Sequence, residues 1–158
     1  MTTATAARPE GDEAGRRSGP RCGSSLLVVD DDRILLGRRA KDPFRGAYVL
    51  PGGGVDAFET IADAATRELA EETGLAVEVT GSLGVAEIIE PPDHRLVFYS
   101  WARPVGGVLQ AGDDLEDVRW CSRADLASLE VTPTVRDVLV HAGWMTGVAR
   151  GPLAMTVR

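Results

Sequence analysis

The chain has 158 residues, 44% of them apolar and 26% charged, with a formal net charge of −7. This is the profile of one soluble globular domain with tails, large enough to bury a core without disulfides. The negative balance argues against a nucleic-acid backbone or an anionic membrane surface as main partner, but leaves room for a small phosphorylated ligand whose charge is met by a metal ion.

Residues 1–22 are rich in Ala, Thr, Gly, Arg and Glu and read as a disordered arm. Arg16 and Arg17 raise the question of export, yet a secretory signal needs an apolar run of about 7–15 residues. Leu26 to Val29 is too short for that, because Asp30 ends it, and no stretch is long enough to cross a membrane as a helix. Cys22 and Cys121 are too few for a disulfide scaffold and lack zinc-like spacing, so a reduced, cytoplasmic setting is expected, with Cys22 exposed and Cys121 a core thiol.

From Ser24 the pattern changes. "SSLLVV", "DDD" and "RILLGR" read as two strands around an acidic turn, and "AYVL" as a short strand running into the breaker "PGGG". Thr60 is positioned as an N-cap with Asp63 as its capping-box partner, and Gly74 falls where a left-handed C-terminal residue belongs. Between them Ile61, Ala64, Ala65 and Leu69 recur at helical spacing and form the buried stripe. "AVEVTG" and "LGVAEIIE" read as two strands, "PPD" as a turn, "HRLVFYSWAR" as a longer strand, "GGVL" as a short one and "DVRWC" as another. Ser122 caps a short helix expected to run through Leu129, and Thr132 followed by Pro133 opens a helix to about Ala142. An α/β fold follows, helices packed on a central sheet, with a core domain over residues 23–143 and a patternless tail over 144–158.

The segment "RELAEETG", residues 67–74, gathers Glu68, Glu71 and Glu72 at i, i+3 and i+4. That spacing puts three carboxylates on one helix face, where like charges repel. A hard divalent cation with oxygen ligands would relieve the repulsion, and Mg²⁺ or Mn²⁺ is the natural choice, since no His or Cys is nearby to favour zinc. The alternative is a solvated face with Arg67 and Glu71 as an i,i+4 pair. The glycines just before the helix, Gly52, Gly53 and Gly54, let main-chain groups approach an ion or a phosphate closely.

Taken together, Gly53, Glu59, Arg67, Glu68, Leu69, Glu71, Glu72, Gly74 and Leu75 match G-x5-E-x7-R-E-U-x-E-E-x-G-U at every constrained position, U being apolar. This resembles the signature of the Nudix hydrolases, complete over residues 53–75 and looser over residues 24–142. The resemblance implies an α/β/α sandwich with a central mixed β-sheet, and hydrolysis of a pyrophosphate bond in a nucleoside diphosphate derivative, with Mg²⁺ or Mn²⁺ as cofactor. It implies that Glu71 and Glu72 are the main metal ligands, that Glu68 is a further ligand or the base, and that the Gly52 carbonyl binds metal. Arg67 and the supporting Glu59 would orient the carboxylates. Phe58 departs from the family, which usually has a small residue there.

A further acid is expected before the strand carrying Trp120. Asp113, Asp114, Glu116 and Asp117 are candidates, Asp114 preferred for its spacing to Trp120, and Glu87 and Glu90 are others. Arg38 and Arg39 suit a phosphate through their planar forks, although Arg39 equally suits the surface. Gly53 and Gly54 would approach the substrate through their backbones. Turn exposure is expected for His94, a helix-dipole contact for His141, and core packing for Phe44, Phe58 and Tyr99. Pro91 and Pro92 resemble a family marker for ADP-ribose and equally suit a structural turn; an ADP-ribose-like substrate is the first expectation. A (d)NTP, including oxidised forms, is the alternative, and a non-catalytic nucleotide-binding module is another. Many relatives form dimers, and "LVFYSW" suits a homodimer interface or the core equally.

Overall fold

The computed structural model describes residues 19–147 and 154–157. Most of the arm expected over residues 1–22, and residues 148–153 and 158 of the expected tail, lie outside the described residues. The described residues form a mixed sheet in the order β3-β2-β1-β6-β5-β8, with β4 added beside β1 and β7 beside β2. Their ranges are β1 Arg21–Asp30, β2 Arg33–Arg39, β3 Tyr48–Val49, β4 Gly52–Gly54, β5 Leu75–Glu90, β6 Asp93–Gly107, β7 Leu115–Ser122 and β8 Ala154–Val157. The helices are α1 Ile61–Thr73, α2 Arg123–Leu126 and α3 Pro133–His141.

β1 lies at the centre. It runs parallel to β6 along most of its length, antiparallel to β4 at its start and antiparallel to β2 at its end. A strand covered on both faces needs an unbroken apolar run, which is why Leu26, Leu27, Val28 and Val29 show no alternation. Leu26 and Val28 pack with Leu35, Ala65, Leu69, Leu75 and Ala102 under α1. Leu27 faces the other way, into a larger cluster with Ile34, Leu36, Tyr48, Cys121, Leu126, Val135, Val138, Leu139 and Trp144 under α2 and α3. Helices on both faces of one sheet make the α/β/α sandwich.

Several elements differ from the sequence expectation. "AVEVTG" and "LGVAEIIE" are one strand, β5, whose ladder with β6 absorbs "TGSLG" in successive register shifts rather than breaking. "PGGG" is a short strand pairing Ser24 with Gly53 and Ser25 with Gly52. In "GGVL" the two glycines end β6 and no separate strand forms. The helix capped by Ser122 stops at Leu126. Thr132 occupies the N-cap of α3 but its side chain makes no capping hydrogen bond, so Pro133 alone presets that first turn. Cys121 is buried and Cys22 exposed, as the sequence suggests. Trp144, at the start of the expected tail, packs into the core, and β8 runs parallel to β5 at the sheet edge.

Candidate active site

Strand β4, helix α1 and the loop over residues 108–114 build the acidic site. α1 starts at Thr60, whose Oγ1 accepts from the Asp63 N–H at 3.1 Å, a cap that contributes about 1 kcal/mol. It ends at Gly74, whose φ of 72° lets its N–H reach back to the Ala70 carbonyl. Two of the last helix carbonyls find partners outside the helix. Gln110 N–H donates to Thr73 O and Gly112 N–H to Glu72 O, both at 2.9 Å. These bonds satisfy groups a helix end leaves open, and they dock the loop that carries Asp113 against the acidic end of α1.

Arg67 is the hub of the site. Its Nε and Nη2 donate to the two carboxylate oxygens of Glu59 at 2.8 and 2.9 Å, and Nη2 also donates to the Gly54 carbonyl at 3.1 Å. Its Nη1 donates to Glu68 Oε1 at 2.9 Å and lies 3.6 Å from Glu71. The Arg67 hydrogen bonds hold the Glu59 carboxyl at about 2, helped by the Asp56 N–H. In return Glu59 and then Glu68 hold the guanidinium firmly protonated. A two-pronged Arg–carboxylate pair fixes geometry as well as charge.

The Glu68 carboxylate lies over Gly53. A Cβ at Gly53 would sit 2.2 Å from the Glu68 carboxyl carbon, so only glycine leaves room for it. One carboxylate oxygen each from Glu68, Glu71 and Asp113 lies within 4.8 Å of the others. A glycine-lined seat beside three convergent oxygen donors, with no thiol or imidazole among them, fits a hard divalent ion. Glu72 is buried and its Oε2 accepts from the Gly52 N–H at 2.9 Å. Burial pushes its carboxyl up to about 8; the Gly52 bond opposes this, and Glu68, Asp113 and Asp114 add to it. A buried carboxyl among other acids is held protonated, and a bound cation would favour its ionised form.

The acid outside the signature that joins Glu68 and Glu71 is thus Asp113, in place of the preferred Asp114. Asp114 instead forms an ion pair with Lys41, and its carbonyl accepts from the Ala40 N–H. The sequence shows two adjacent aspartates; the bonds of Gln110 and Gly112 to α1 and the Lys41 pair of Asp114 set them apart. Arg38 pairs with Glu116 at 2.9 Å, and Arg39 donates from Nε to the Pro43 carbonyl at 2.8 Å, so neither is brought to the acidic cluster. Asp117 accepts from the Tyr48 hydroxyl at 3.0 Å, Glu87 pairs with His94 at 2.9 Å, and Glu90 lies 3.9 Å from Arg95. Tyr99 is a core residue as expected, whereas Phe44 and Phe58 are exposed and both hold positive φ.

A sandwich with an acidic helix clamped to a glycine strand defines the class of fold and site. The NUDIX domain model matches residues 20–141. The chain is 36% identical over 105 residues to an ADP-ribose pyrophosphatase of Methanocaldococcus jannaschii, covering 65% of this chain and 62% of that protein. It is 35% identical over 135 residues to the human 8-oxo-dGDP phosphatase NUDT18, covering 83% of this chain and 41% of that one. Among solved structures, a MutT NUDIX hydrolase from Burkholderia pseudomallei superposes with a TM-score of 0.72 at 31% identity, over 78% of this chain and 98% of its own. The chain belongs to the Nudix hydrolase family. It spans less than two thirds of the length of the two curated relatives named here.

Proposed function

We propose that this chain hydrolyses the pyrophosphate bond of a nucleoside diphosphate derivative, with an ADP-ribose-like molecule as the preferred substrate and Mg²⁺ as cofactor. The observation that carries the reading is the convergence of Glu68, Glu71 and Asp113 beside the Gly53 seat. Glu68, Glu71, Asp113 and Glu72, with the Gly52 carbonyl, would hold the ion. When bound, it supplies charge neutralisation for the diphosphate and a more acidic water. Arg67, held by Glu59, keeps the Glu68 carboxylate in place, and Gly53 and Gly54 leave the backbone open to the diphosphate. Water attacks one phosphorus, the bond from that phosphorus to the bridging oxygen breaks, and two phosphate monoesters leave.

ADP-ribose leads because the Methanocaldococcus relative is named for it. The human relative is named for 8-oxo-dGDP, which supports an oxidised nucleotide as the second reading. The two free cysteines support a cytoplasmic setting, and among the described residues no helix is long and apolar enough to cross a membrane. The test is a panel of ADP-ribose, 8-oxo-dGDP, 8-oxo-dGTP and NADH with Mg²⁺ or Mn²⁺, products identified. AMP and ribose 5-phosphate from ADP-ribose, lost in Glu71→Gln, are expected. No hydrolysis of any member, or full activity in Glu71→Gln, would overturn the proposal.

A further inference from the structure

Ser24 stands out among the described residues. It is 1% exposed, and its Oγ has no hydrogen-bond partner. A buried hydroxyl left unpaired is unfavourable, so its surroundings matter. The side chains of β1 alternate. Leu26 and Val28 point to the α1 face, so Ser24, two residues before Leu26, points there too. Ser25, on the opposite face, satisfies its hydroxyl with the Leu50 and Pro51 carbonyls.

Ser24 is the direct cross-strand partner of Gly53. Directly opposed residues point to the same face with Cβ positions about 4.5–5.5 Å apart. The Cβ position of Gly53 is where the Glu68 carboxylate lies, with Oε2 2.3 Å from it. Arg67 engages Oε1 of that carboxylate, and Oε2 accepts no hydrogen bond among the described residues. An unpaired buried donor and an unpaired acceptor therefore face the same small volume from neighbouring strand and helix.

We propose that Ser24 is a positioning residue for Glu68: its hydroxyl donates to Glu68 Oε2 and, with Arg67 on Oε1, fixes the plane in which the carboxylate meets a divalent ion. The inference rests on the proposed metal-dependent reading of the same acids.

The test is Ser24→Ala, with Ser24→Cys as a second variant that keeps the bulk but is a weak donor. Mn²⁺ binding is read by the electron paramagnetic resonance of free Mn²⁺, without substrate, and thermal unfolding is recorded with and without Mn²⁺. In Ser24→Ala we expect Mn²⁺ affinity to fall about 5–10-fold, near the lower end of the loss seen when a group orienting a ligand is removed. The Tm without metal should fall by a few degrees at most, as for the loss of one hydrogen bond. With ADP-ribose, kcat should fall about tenfold and KM change less than twofold. Mn²⁺ affinity within twofold of the unsubstituted protein in both variants would overturn the assignment, whatever the Tm. Failure of the underlying reading is separate: there the unsubstituted protein binds no Mn²⁺, or Glu71→Gln binds it equally well.

Discussion

The two faces of the sheet do different work. Under α2 and α3, Leu27, Ile34, Leu36, Leu126, Val138 and Leu139 form the larger cluster. Under α1 the apolar cluster is smaller, and beyond Ala65 and Leu69 the helix turns carboxylates toward β4. One face is built for stability. On the other, stability is given up locally: Glu72 is buried near other acids, and Ser24 is buried unpaired. Such local conflicts mark a functional site.

Substitutions can break this contrast. The largest functional loss is expected for Glu71→Gln, about 10²–10³-fold in kcat for removal of a ligand of the ion that would neutralise the reacting group, with little change in Tm because Glu71 is half-exposed. Arg67→Ala should lose about 10–100-fold, since it loosens Glu68 without deleting a ligand. Asp113→Asn should weaken Mn²⁺ binding several-fold, whereas Asp114→Asn, which loses only the exposed Lys41 pair, should leave it within twofold. On the other face Leu139→Ala should cost about 2–5 kcal/mol of stability, measured by urea unfolding, with kcat of the folded fraction unchanged.

The smallest effect concerns pH. Without divalent ions the Glu72 carboxyl is held at about 8 against an ordinary 4.5. Between these values the native state holds a proton that the unfolded chain has released, so stability falls as pH rises. Glu59, lowered to about 2, acts in the opposite sense but only below pH 4.5, as acid protonates it. Unfolding in EDTA should therefore show a Tm that declines from pH 5 to pH 8, flattened in Glu72→Gln.

The acidic helix was legible in the sequence because its signals are local. Thr60, Gly74, the apolar stripe and the spacing of Glu68, Glu71 and Glu72 all lie within one short segment, and the Arg67–Glu59 pair follows from the same motif. What was not legible depends on how distant pieces meet. Asp113 and Asp114 are neighbours in sequence, and their roles are separated only by the bonds of residues 110 and 112 to α1 and by Lys41. The unity of β5 escaped because "TGSLG" carries the marks of a break, while the partner strand β6 holds the ladder through it. Ser24 carries no motif at all; its place becomes visible only through its pairing with Gly53.

The proposed site places a divalent ion among Glu68, Glu71 and Asp113. The most direct measurement is an anomalous difference map from crystals grown with Mn²⁺. A peak bounded by these three carboxylates, absent in Glu71→Gln crystals, is the result predicted. Ordered Glu68, Glu71 and Asp113 side chains with no peak between them would contradict it.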